Sequence, residues 1–179
     1  MIEETARIQF TELLESDLNA IHELHSLPET DEYNTLGIPT DIEMTRQILL
    51  QWIDGQSATP RTDYTFCLRV KDTNEFIGLM GLKIGKAQYR VAEVWYKIHP
   101  LHWLKGYATE ALSAILGFGF KQLALHRVEA GTAADNLASV RVLEKAGFTL
   151  EGRKRKLLPL KRGWSDNYFY AILETDSRI

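Results

Sequence analysis

Between Ala92 and Leu112 the chain reads as strand, turn and helix in immediate succession, and few architectures accommodate that junction. Residues 92–98, Ala-Glu-Val-Trp-Tyr-Lys-Ile, are rich in β-branched and aromatic types with partial alternation. Pro100 cannot donate to a ladder, so strand pairing has to stop near it. From Ala108 small and apolar residues fall at 108, 111, 112 and 115, the stripe of a helix lying on a sheet. The first turn of such a helix leaves N–H groups without partners, and their summed dipole favours an anion. Gly106 and Ala108 keep bulk away from that entrance, so a phosphate-bearing ligand can approach the main chain closely. A purely structural strand-to-helix connection accounts for the spacing equally well. Neither G-x-x-x-x-G-K-[ST] nor G-x-G-x-x-G occurs, which leaves a nucleotide P-loop and a dinucleotide fingerprint unsupported.

The rest of the pattern is that of one domain spanning 1–179. At 179 residues and 45% hydrophobic content the chain is large enough to bury roughly 70% of its unfolded surface. Strands are expected at 6–14, 65–70, 76–84, 89–98, 125–132, 148–157 and 167–173. Helices are expected from Ser16 toward Leu27 and over 41–56, 106–122 and 137–146, with 28–39 a polar loop. Cys67 is the only cysteine, which rules out an internal disulfide and suits a reducing compartment. No apolar run approaches the length needed to span a bilayer, and the first residues lack a basic and an apolar leader region. A cytoplasmic protein without a membrane partner is the expectation. A net charge of −3 argues against direct nucleic-acid binding.

The hexad Trp103-Leu104-Lys105-Gly106-Tyr107-Ala108, continued by Thr109-Glu110-Ala111, resembles motif A of the GNAT acyltransferases, written [QR]-x-x-G-x-[GA]. The likeness narrows to the branch with the RimJ and RimL ribosomal-protein acetyltransferases, where Trp in first place and Gly-Tyr-Ala-Thr-Glu-Ala are familiar. Leu104 departs from the common Gly. The resemblance implies an α/β (α+β) domain with a mixed sheet of about seven strands, splayed between the fourth and fifth, and about four flanking helices. It implies acetyl-coenzyme A as co-substrate, its pyrophosphate held by Trp103, Leu104, Lys105, Gly106, Tyr107, Ala108 and Thr109 and its pantetheine arm passing Ile98. The partners implied are acetyl-coenzyme A and a primary amine, either a protein N-terminus or a small molecule, and a homodimer is compatible with the branch.

A second motif lies at Asp135-Asn136-Leu137-Ala138-Ser139, followed by a short apolar helix and Gly147-Phe148. Local physics makes Asp135 or Asn136 an N-cap and Gly147 the left-handed residue after the helix. N-x-x-S before Gly-Phe also resembles the RimJ/RimL form of motif B, in which the Asn bonds the pantetheine and the Ser lies near the thioester sulfur. Other GNAT members carry an acidic Tyr where this chain has Leu143, so Ser139 becomes the substitute acid.

An amine attacking a thioester has to be neutral, and alkyl amines titrate near about 10. A positioned carboxylate removes that proton. Glu93 is the first choice, since Ala-Glu-Val resembles the Ala-Glu-Ile of histone-acetylating relatives, and Glu129 is the second. A backbone N–H near residues 96–98 is a source of oxyanion stabilisation. The same residues also suit a catalytically silent acyl-coenzyme A sensor or interaction module, from which the presence of both Glu93 and Ser139 separates an enzyme. The five histidines form no ligand spacing, so no metal is expected. Trp52, Trp95, Trp103 and Trp164 read as core or cleft-wall aromatics. Six cations between Arg153 and Arg162 form either a solvated hairpin, with alternate residues on opposite faces, or a surface that steers an acidic partner.

Overall fold

In the computed structural model, which describes residues 2 and 5–176, the chain runs β1 (Ile8–Glu12), α1 (Leu18–Ser26), α2 (Pro28–Asp31), α3 (Ile42–Gln56), β2 (Asp63–Val70), β3 (Phe76–Ile84), β4 (Val91–Ile98), α4 (Tyr107–Lys121), β5 (Arg127–Ala133), α5 (Leu137–Lys145), β6 (Thr149–Leu160) and β7 (Gly163–Leu173). The expected order of strands and helices holds. One helix was not foreseen. Pro28 ends α1, yet its fixed φ also preorganises a new first turn, so part of the expected loop becomes α2. The helices therefore number five among the described residues rather than about four.

The strands form one sheet in the order β1-β2-β3-β4-β5-β7-β6, antiparallel except where β4 meets β5 in parallel. Side-chain alternation divides the sheet's neighbours into two layers. On one face α4 buries Ala111, Leu112, Ile115 and Leu116 against Ile77, Leu82, Val94 and Val128. Each such leucine, isoleucine or valine side chain removed from water contributes about 1.5–3 kcal/mol. On the other face Leu18, Ile21 and Leu24 of α1 and Leu49 of α3 close over Cys67 and Leu79 in a smaller cluster. Cys67 is fully buried, and burial pushes its thiol far above the ordinary range, so it is the inert core residue expected.

The sheet does not stay closed. β4 shares seven register pairs with β3 but only three with β5, ending at Glu93 opposite Glu129. Beyond that pair the two parallel strands part, which is the splay implied by the family resemblance. It opens toward Ile98 and the start of α4.

Candidate active site

Backbone N–H and C=O groups of a strand point alternately to its two neighbours. On β4 the odd residues serve β3: Val91 C=O accepts from Gly85 N–H at 2.8 Å, and His99 N–H just beyond the strand donates to Ile77 C=O at 2.9 Å. The main chain of Tyr96 and Ile98 therefore faces the opening where β5 has left. Donors lie there without strand partners, which suits a ligand that continues the ladder as an extended arm would.

At the mouth of this opening the chain turns into α4 through two residues of left-handed conformation, Leu104 (φ 61°) and Gly106 (φ 82°). Leu104 explains its own departure from the motif. The position calls for φ > 0, which Gly adopts freely and Leu only at a cost of about 1–2 kcal/mol. Its side chain is fully exposed and makes no compensating contact. Trp103 pins the loop, its indole N–H donating to Ile98 C=O at 2.7 Å. Lys105 is exposed, Tyr107 and Thr109 are half-buried, and Ala108 packs on the core. α4 starts at this mouth, and its first-turn N–H groups have no intrahelical partner.

Arg7, which the sequence did not single out, braces this loop. Its guanidinium donates to Lys105 C=O at 2.9 Å and to Glu110 at 2.7 Å, and lies 4.7 Å over the Tyr107 ring. Burial raises the Glu110 carboxyl. Bonds from the Arg7 N–H, the Thr5 hydroxyl and the Arg7 guanidinium outweigh that and hold it below the usual carboxylate range. Arg7 lies almost one hundred residues from the motif, so no local pattern could have revealed it.

Across the opening, Asn136 caps α5, accepting from Ser139 N–H at 3.1 Å, and Gly147 (φ 90°) follows the helix as expected. Ser139 Oγ stands 2.8 Å from the Tyr96 hydroxyl and the Ser139 C=O 3.4 Å from it, so this hydroxyl ties α5 to β4 over the gap. Burial pushes the Tyr96 hydroxyl up to about 12, against the lowering effect of Ser139. The sequence points only to the main chain of residues 96–98, yet the Tyr96 side chain holds Ser139 in place. Removing Ser139 Oγ should leave that hydroxyl without its short bond, at a cost of about 1–3 kcal/mol. Ser139→Ala is therefore expected to lower Tm by several degrees, and Tyr96→Phe in the same chain to restore part of the loss. Additive losses in this double-mutant cycle would contradict the coupling. Leu143 is 1% exposed, so the place of the family's acidic Tyr belongs to the core here.

Glu93 lies on the opposite face. Even residues of β4 face α4, while Glu93, Trp95 and Lys97 face α1 and α3, so Glu93 and Ser139 flank the gap from its two sides. Glu93 is exposed at the last paired position before the strands part, and no partner for its carboxylate occurs among the described residues. Glu129 is adjacent but occupied, accepting from Arg127 Nε at 2.7 Å, and Arg127 also bonds Glu151. Beyond Glu93, Trp95 lies against Gly81, where a Cβ would come within 2.5 Å of the indole, and Trp52 stacks on it at 5.8 Å. Trp164, by contrast, is 62% exposed on the hairpin and is no core residue.

The β6–β7 hairpin overhangs this face, and here the expected strand alternation fails. The register slips between Lys154 and Leu158, and Lys156 (φ 50°) sits in a bulge. Asp166 anchors the bulge, accepting from Lys156 N–H at 2.8 Å and Arg153 Nε at 2.6 Å, which holds its carboxyl below the usual range. Arg162 bonds Asp135 at 2.7 Å, lies 3.7 Å from Glu32 and stacks 4.8 Å over Tyr33. Two of the six cations are thus neutralised within the chain, which weakens the surface expected to steer an acidic partner. The hairpin tip is instead clasped to the loop after α2, and a cleft of about 900 Å³ lies beneath its bulge.

A mixed sheet opened between parallel strands, with a glycine-started helix at the mouth of the gap, has the architecture of an acyl-coenzyme A transferase. Residues 7–149 match the model of the acetyltransferase (GNAT) domain, and the chain belongs to that family. GNAT acetyltransferases use acetyl-coenzyme A. A probable N-acetyltransferase, YjcK of Bacillus subtilis (strain 168), is 32% identical over 164 residues, 91% of this chain and 86% of the relative. Two solved structures share the fold. Spermidine N-acetyltransferase from Vibrio cholerae, in complex with CoA and spermine, has a TM-score of 0.83 at 23% identity, covering 94% of this chain and 96% of that one. RimL, a ribosomal L7/L12 α-N-protein acetyltransferase in complex with coenzyme A, has a TM-score of 0.85 at 19% identity, covering 96% and 97%. Among the described residues no His, Cys, Asp and Glu cluster could hold a metal, and no helix is long and apolar enough to cross a membrane.

Proposed function

We propose that the protein transfers the acetyl group of acetyl-coenzyme A to a primary amine by direct attack in a ternary complex. The observation that carries this reading is the gap between β4 and β5 opening toward the start of α4, whose first-turn N–H groups have no intrahelical partner. Those N–H groups hold the pyrophosphate, and the loop's closeness depends on Gly106. The main chain of Tyr96 and Ile98 and the capped turn at Asn136 line the path of the pantetheine arm. The coenzyme supplies a thioester, an acyl carbon open to attack. Glu93, at the apex of the gap and unpartnered, takes the proton of the incoming amine, directly or through water. The new N–C bond forms as the C–S bond breaks, and Ser139, oriented by Tyr96, stands by the leaving sulfur. A thiol of pKa about 8.5 leaves tolerably without an acid, so the base and the positioning matter more.

Relatives of this fold are named for a polyamine and for a ribosomal-protein N-terminus, and both acceptor classes fall within the proposal, as does membership of the RimJ/RimL branch. A cytoplasmic site of action fits the single reduced cysteine. The test is release of free thiol from acetyl-coenzyme A over a panel of amines and N-terminal peptides. Cys67 is buried, so a thiol reagent reads the coenzyme rather than the protein. Amine-dependent release is expected. Coenzyme binding without release for any amine would favour a silent binding module.

A further inference from the structure

β5 forms the far wall of the gap, and its residues alternate between the two faces of the sheet. Val128 and Ala130 join the α4 core, so Glu129, Gly131 and Ala133 lie on the face that carries Glu93. β7 follows the same alternation. Tyr168 and Tyr170 pack on the α4 core, and Asn167, paired with Ala133, lies on the Glu93 face. Asn167 is 5% exposed, and its side-chain amide has no hydrogen-bond partner among the described residues. The side-chain atoms there that are both sealed from solvent and unpartnered are Asp31 Oδ1 and His102 Nδ1 alone, so the amide end of Asn167 stays open to solvent. A side chain buried to this degree with an unpaired amide calls for an explanation in terms of what it binds.

A glycine sets the direction in which that amide points. A Cβ on Gly131 would lie 3.2 Å from Asn167 Nδ2 and 3.7 Å from Oδ1, so the amide reaches over β5 into the space that Gly131 leaves. Gly131 is exposed and stands two residues beyond Glu129, the partner of Glu93 at the last paired position, so it borders the start of the gap. A strand spacing of about 4.8 Å and a rise of about 3.3 Å per residue set its Cα roughly 8 Å from that of Glu93. The charges around the amide are turned elsewhere. Arg127 holds Glu129 and Glu151, and Lys154, opposite Asn167 on β6, lies 4.4 Å over the Phe169 ring. A neutral donor and acceptor thus face the edge of the gap, a short chain's length from Glu93.

We propose that Asn167 is a specificity-determining residue that hydrogen-bonds a hydroxyl of the acceptor two or three carbons from the reacting amine, which makes an amino alcohol a better substrate than the alkyl amine of equal length. This rests on the acetyltransferase reading above, with the amine at Glu93. A carboxamide offers N–H donors and a C=O acceptor, and a hydroxyl, itself donor and acceptor, satisfies both. An ammonium would use the carbonyl alone and a carboxylate the NH2 alone. A methyl group in the hydroxyl's place would shut the amide off from water and pair with neither half, and that penalty is the source of the discrimination.

The experiment compares 3-amino-1-propanol with butylamine, which carries a methyl group in place of the hydroxyl, in the wild type, Asn167→Leu and Gly131→Ala. The wild type is expected to favour the amino alcohol by about tenfold or more in kcat/KM. Asn167→Leu, of nearly the same size, should bring the two within about threefold through loss of 3-amino-1-propanol turnover. Gly131→Ala keeps the amide but puts a Cβ where it lies, at an exposed position that tolerates a methyl group, and should lower the preference by about threefold or more. Calorimetric titration of 3-amino-1-propanol into protein saturated with coenzyme A gives the same comparison without turnover, with weaker binding expected in both variants. Equal kcat/KM for the two amines in the wild type, or a preference that survives either substitution in a folded chain, would overturn the proposal. A wild type that neither binds coenzyme A nor releases its thiol with any amine would overturn the parent reading and this one with it. Acetyl transfer to amines without discrimination between these two would overturn this one alone.

Discussion

Glu93→Gln is expected to lower kcat about 10²-fold at neutral pH while leaving the coenzyme Kd nearly unchanged, because an amide occupies the same space but cannot accept the proton of the attacking amine. The position supports the size of the effect. Glu93 stands where β4 and β5 part, exposed on the face that α1 and α3 cover, and no cation within the described residues competes for its carboxylate. The loss should shrink as pH rises toward the pKa of the free amine, since the acceptor then arrives already deprotonated. Glu129→Gln serves as the control. That carboxylate is held by Arg127, so its removal should alter kcat by less than threefold. Wild-type kcat in Glu93→Gln across the pH range would exclude Glu93 as the base and leave a water chain to take the proton.

Gly106→Val is expected to weaken acetyl-coenzyme A binding by about 30- to 100-fold in a chain that still folds. A β-branched residue at φ 82° leaves the allowed regions, and relieving the strain rotates the very N–H groups that face the ligand. The added Cβ would also lie 3.3 Å from the Arg7 guanidinium, which holds the loop to Lys105 and Glu110. A loss of about 2–3 kcal/mol corresponds to that range of affinity. Calorimetry with coenzyme A measures it, and circular dichroism confirms the fold. Unchanged affinity in a folded variant would mean that the pyrophosphate binds elsewhere.

Much of this protein is determined locally. The 3.6-residue stripe of α4, the alternation of β4, the asparagine cap of α5 and Gly106 at a position of positive φ each arise from interactions a few residues apart. Their periodicity and stereochemistry are written directly in the sequence, and with them the turn into α4 and the order of the elements. Short-range logic fails where backbone registers adjust to partners. Pro28 starts α2 instead of a loop, and the bulge at Lys156 breaks the alternation read for the cationic hairpin because Asp166, on the facing strand, captures its N–H.

Tertiary structure alone decided which side chains share the cleft. Tyr96 meets Ser139 forty-three residues away, and Arg7 meets Glu110 one hundred and three residues away. Two glutamates that look alike in the sequence are likewise set apart by a neighbour: Arg127 binds Glu129, whereas Glu93 lies where the strands part, with no partner among the described residues. Helix and strand propensities act over a few residues, whereas charge pairing, burial and the opening of a sheet depend on chain segments brought together only by the folded core.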